Sequence, residues 1–152
     1  MPIQILHAAD FHLDAPFASL NAEQAAERRG EQRELLARLA ELARSRGADL
    51  VLLSGDLFDG GELYAETGQA LVRTLGQTGC PVFIAPGNHD FYSARSPYAR
   101  LAWPDNVHLF RRAGLTPVEL EGKACTVWGA AFTAPAREDS PLAGFAAPAD
   151  GR

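Results

Sequence analysis

Three short stretches of this chain gather side chains that hold metals and move protons. They are Asp10 and His12 in "ADFHLD", Asp56 with Asp59 in "SGDLFD", and Asn88, His89 and Asp90 in "GNHD". A mixture of oxygen and imidazole donors suits Mn²⁺, Fe or Zn²⁺ better than Ca²⁺. Asp10 and His12 are two residues apart, so in extended chain both side chains point the same way and one metal can take both. Gly55 lets the backbone turn so that Asp56 can reach the site, and its two carboxylate oxygens can bridge two cations. Asn88 offers a neutral carbonyl oxygen to the second. Two cations about 3.5–4 Å apart would clamp a phosphate for in-line attack by water. His89 is then free to stabilise the transition state or to protonate the leaving oxygen, and Asp90 to hold the His89 ring in one tautomer.

The weight lies in the combination. Asp-x-His alone is an ordinary strand-end turn, and Gly-Asp is a common turn dipeptide. "GNHD" directly after the apolar run "VFIA" is far more specific, and the order of the three clusters adds to it. His7 reads as a core or supporting histidine and His108 as a strand residue, while Asp14 and Asp59 read as loop-capping or supporting carboxylates. Tyr92 and Arg95 follow the third cluster within reach of a substrate phosphate, but a surface role suits them better. Arg28, Arg29, Glu31 and Arg33 read as a solvated helix face.

Each cluster closes an apolar run, at residues 3–10, 49–61 and 80–90. Helical segments separate the runs. Residues 19–50 read as a long helix opened by a capping box of Asn21 and Gln24, with Leu35, Leu36, Leu39 and Leu42 on one stripe and Gly47 as the stop. Residues 62–79 read as a second helix with Leu71, Val72 and Leu75 inward. Strands with no alternating polar face, each followed by a helix, predict β-α-β units covered on both faces, and hence an α/β fold. Ligands in such sheets bind at the carboxyl ends of the strands, where all three clusters fall. After residue 104 shorter strands follow, with one hairpin around "EGK", and residues 133–152 read as a loop-like tail.

The 152 residues suffice for one domain with its own core, 47% of them are apolar, and the net charge is −5. That charge is unlike a strongly basic nucleic-acid module. No run is apolar enough to span a membrane. The N-terminus lacks a basic leader, so it reads as a first strand and the expected location is cytoplasmic. Cys80 and Cys125 lie far apart, without metal or redox spacing, and read as small buried thiols.

The order Asp-x-His, Gly-Asp, Gly-Asn-His-Asp resembles the calcineurin-like metallophosphoesterases. "ILHAADFHLDAPF", "LLSGDLFD", "IAPGNHD" and "NVHLF" resemble their DNA-repair exonuclease branch, the SbcD-type nuclease subunits, over residues 3 to about 132. The resemblance implies a metallophosphoesterase-type layered sandwich and a dinuclear, usually Mn²⁺-supported site that cleaves phosphodiester bonds in DNA. By motif, Asp10, His12 and Asp56 would hold the first metal, Asp56 and Asn88 the second, and His89 would be the catalytic histidine. Phosphomonoester hydrolysis and a non-catalytic scaffold role are the alternatives. Homodimers and a coiled-coil ATPase partner are implied by resemblance alone. The family pattern continues with a further histidine and a Gly-His-x-His motif; the histidines here are His7, His12, His89 and His108. The expectation is therefore the N-terminal part of such a domain, with the C-terminal part of the fold missing.

Overall fold

The computed structural model describes residues 2–149, so residues 150–152 of the expected tail lie outside it. Strand β1 (Ile5–Ala8) leads through helix α1 (Ala22–Arg46), β2 (Leu50–Ser54), α2 (Ala65–Gly76), β3 (Val82–Ala85) and the single turn α3 (Pro97–Arg100) to β4 (Val107–Leu109). The four strands form one parallel sheet in the order β1-β2-β3-β4. Strands β5 (Thr116–Glu119) and β6 (Thr126–Gly129) pair antiparallel as the expected hairpin. The α/β architecture follows from the alternation of apolar runs with helices, because parallel neighbours need a crossover connection.

Helix α1 begins where the sequence says it should. The Asn21 side chain accepts from the Gln24 N–H at 2.9 Å, and the Gln24 side chain accepts from the Asn21 N–H at 3.4 Å. Gly47 ends it in the left-handed conformation. Asn21→Ala is expected to cost about 1 kcal/mol, read as a lowered urea midpoint at unchanged slope. The buried stripe is Ala25, Leu36, Leu39, Ala40 and Ala43, whereas Leu35 is 53% and Leu42 42% exposed. The leucine count is right at Leu36 and Leu39 and wrong at Leu35 and Leu42, and the rest of the buried stripe is made by small alanines. Arg33 also departs from the solvated face: it is half-buried and reaches Thr67 and Glu66 on α2, at 3.4 and 3.7 Å.

Side chains alternate across a sheet, so the central strands feed two cores. Val51, Leu53, Val82 and Ile84 pack with Leu36, Leu39, Leu71 and Leu75 of the helices, while Leu50 and Phe83 pack with Phe110 and Leu120 on the hairpin side. This explains why those runs carry no polar face. Coverage on both faces fails at β1. It is an edge strand, with Ile5 54% exposed and His7 exposed rather than in the core. Lys123 in the hairpin turn reaches Asp49 at 2.6 Å and ties the hairpin to the foot of β2. The hydrogen bonds from Lys123 and from the Gln4 N–H hold the Asp49 carboxyl below the usual carboxylate range. Residues 130–149 contain neither helix nor strand. No helix among the described residues is long and apolar enough to cross a membrane.

Candidate functional site

The first two clusters meet because the β1–β2 pairing does not stop where the strands do. The Asp10 N–H donates to the Gly55 carbonyl at 3.1 Å, His12 to Asp56 at 3.0 Å and Leu13 to Leu57 at 2.9 Å, and Asp59 returns to Leu13 at 3.2 Å. Gly55 in turn donates to Ala85 at 2.8 Å, which seats the second loop on β3. The chain here is not extended, as the two-residue spacing suggested. Asp10, His12, Asp14 and Asp56 all take positive φ, at 57°, 45°, 61° and 50°. Aspartate tolerates this region better than most residues. His12 is held there by Gln32 of α1, whose Nε2 donates to the Phe11 and His12 carbonyls at 3.1 and 2.9 Å.

One ligand atom from each of Asp10, His12 and Asp56 falls within 4.8 Å of the others, and His12, Asp59 and His89 form a second such group. The His12 ring sits between them. Its Nδ1 lies 2.8 Å from Asp59 Oδ1 and its Nε2 4.0 Å from Asp56 Oδ2. Asp59 thereby fixes the ring and leaves Nε2 facing Asp56, an arrangement typical of metal-binding histidines. The His89 ring meets His12 edge-on, with centroids 5.2 Å apart. Among the described residues no lysine or arginine is ion-paired with Asp10, Asp56 or Asp59. Carboxylates gathered without a protein cation repel one another, and a bound cation relieves that repulsion. The donor set therefore fits a divalent ion.

The third loop is pressed against the second. A Cβ on Gly87 would overlap the Asp56 carboxylate, so only glycine lets the two loops approach this closely. The His89 N–H donates to Asp56 Oδ1 at 3.1 Å, and Asn88 is exposed between Gly87 and His89. Asp90 differs from expectation. Its carboxylate is 3% exposed and accepts from the Gly87 N–H at 2.7 Å, the Phe58 N–H at 3.0 Å and the Tyr98 hydroxyl. It braces loops two and three instead of holding the His89 ring. Burial, and then the Asp90 charge, push the Tyr98 hydroxyl well above its usual pKa, so it stays a donor.

Asp14 caps α2 from outside, accepting from the Tyr64 N–H at 2.8 Å and the Thr67 hydroxyl at 2.7 Å. Arg95 is exposed, Tyr92 is half-buried beneath the Arg111 guanidinium, and His108 lies on β4. Sequence reasoning passed over Gln32 and Tyr98. Gln32 had a signal, since it precedes Leu36 by four residues and so shares the inward stripe. Tyr98 had none, because its partner is fixed only by the tertiary fold.

This sheet, with acidic and imidazole ligands at the carboxyl ends of consecutive strands, defines a class. The chain belongs to the calcineurin-like phosphoesterase family, whose pattern it matches over residues 3–129. It is 32% identical over 117 residues to a protein named uncharacterized metallophosphoesterase YhaO of Bacillus subtilis, covering 73% of this chain and 28% of that one. It is 36% identical over 91 residues to SbcD, a subunit of the SbcCD nuclease of Escherichia coli K12, covering 58% and 21%. It is 39% identical over 95 residues to the DNA double-strand break repair protein Mre11 of Aeropyrum pernix, covering 60% and 22%. The chain thus spans between a fifth and a third of the length of these relatives.

Proposed function

We propose that this chain carries the metal-holding part of a phosphodiester hydrolase that acts on DNA. The observation that carries the reading is the convergence of Asp10, His12 and Asp56 beside His89. The names of two relatives, a nuclease subunit and a break-repair protein, favour DNA over a phosphomonoester. Asp10, His12 through Nε2 and Asp56 hold one divalent cation; Asp56 and Asn88 hold a second, with Mn²⁺ as the leading candidate. When bound, such cations polarise a phosphate and make a water acidic enough to attack near neutral pH.

The chain's own residues do the rest. Asp59 keeps the proton of His12 on Nδ1, so Nε2 stays free to donate its lone pair. Asp56 has one oxygen occupied by the His89 N–H, which orients the other. The exposed His89 ring, anchored by that same N–H, gives a proton to the leaving oxygen. The setting we propose is the cytoplasm, where Cys80 and Cys125 stay reduced, in company with a partner protein or a second copy.

Asp56→Ala is expected to abolish both Mn²⁺ binding and cleavage. His89→Ala is expected to keep Mn²⁺ affinity but lose about 10²–10⁴-fold in turnover. Titration calorimetry, with rates on bis-aryl and mono-aryl phosphates, checks both. Cleavage retained by Asp56→Ala would sink the assignment, and faster mono-aryl than bis-aryl turnover would redirect it to phosphomonoesters.

A further inference from the structure

A cleft of about 320 Å³ opens beside His89, and neither Asp10, His12 nor Asp56 lines it. Gly60 and Gly61, which present no side chains, line it together with Phe91 and Arg95. Phe91 is half-buried yet packs in neither hydrophobic core. Arg95 has no ion pair among the described residues. Its loop is nonetheless fixed: the Ser96 hydroxyl donates to the Ser93 carbonyl at 2.8 Å, and the Arg95 N–H to the Ser93 hydroxyl at 3.3 Å. An aromatic face that the core does not use, with a free guanidinium beyond it, is the pairing that stacks a base and meets the next phosphate. Glu62 also lines the cleft, and its charge disfavours a phosphate in the interior while leaving an uncharged base unopposed.

Resting on the hydrolase reading above, we infer that this cleft is the subsite for the leaving-side nucleoside. His89 protonates the departing oxygen from the rim of the cleft, the base of the departing nucleoside lies against Phe91, and the following phosphate meets Arg95.

The test uses the full chain with Mn²⁺ and a dinucleoside phosphorothioate, whose sulfur slows cleavage, together with analogues lacking one base or the other. Binding is read by calorimetry. Removing one particular base is expected to weaken wild-type binding roughly fivefold to tenfold, and removing the other to matter little. Phe91→Leu, which keeps an apolar side chain, and Phe91→Ala should both bind the parent that much more weakly and no longer sense the loss of that base. Arg95→Ala should weaken binding only when a further phosphate follows. Variants that still distinguish the analogues as wild type does would overturn the subsite and leave the hydrolase reading intact. A wild-type chain that holds Mn²⁺ but neither the dinucleotide nor a bis-aryl phosphate would overturn both.

Discussion

Gly87→Ala is expected to cost the chain the cation affinity proposed for it. The added methyl would collide with Asp56 Oδ1 and stand 2.5 Å from the Asp56 N and 2.9 Å from its Cγ. None of these atoms can retreat cheaply. Oδ1 accepts the His89 N–H, and the Asp56 carbonyl accepts the His12 N–H. The second and third loops must therefore part, and the ligand set opens with them. A displacement of about 1 Å in a catalytic constellation costs on the order of a hundredfold, and a loss of at least that size in Mn²⁺ affinity is expected by titration calorimetry. Helical circular dichroism should persist, because Gly87 lies in the loop after β3, outside α1 and α2. Wild-type affinity in this variant would mean that Asp56 does not need the third loop to bind.

Asp90→Ala is expected to unsettle the fold before it affects chemistry. It strands two backbone N–H groups and the Tyr98 hydroxyl in a buried site. Each unmade bond costs about 1–3 kcal/mol, so the three together cost at least about 3 kcal/mol, a large part of the roughly 5–15 kcal/mol that holds a typical domain together. For a chain of this size that lowers the melting midpoint by at least about 6 °C. Tyr98→Phe removes one donor and leaves the carboxylate two, so it should cost about 1–2 kcal/mol. A calorimetric scan of the two variants separates the brace from a catalytic role. If Asp90→Ala melts like the wild type and loses only turnover, Asp90 acts on His89 after all.

What the sequence made legible was local. The capping box at Asn21 and the stop at Gly47 depend on neighbours within a few residues, and both stand as read. The apolar runs before Asp10, Asp56 and Asn88 identified the strands, and the carboxyl-end rule brought the clusters together without any knowledge of the register. What remained hidden depended on contacts distant in sequence. The left-handed backbone at His12 is held by Gln32, twenty positions away on α1. Asp90 looked like a partner for the adjacent His89 because adjacency is all that a sequence displays, whereas its hydrogen-bond partners include Phe58 and Tyr98. Leu35 and Leu42 appeared inward because leucine is usually buried, but Ala40 and Ala43 take the buried positions beside Leu36 and Leu39.

The continued β1–β2 pairing has an evolutionary consequence. The main chain at Asp10 and His12 is placed by hydrogen bonds from its own N–H groups to the Gly55 and Asp56 carbonyls. The main chain at positions 10 and 12 is therefore set independently of the two side chains, and the positive φ at both narrows the residue types that can replace them. On the metal-site reading proposed above, a replacement that tolerates this backbone is expected to alter ion preference without rebuilding the loop. Mutation at position 87 has no such freedom, because any side chain there starts with a carbon that overlaps the Asp56 carboxylate.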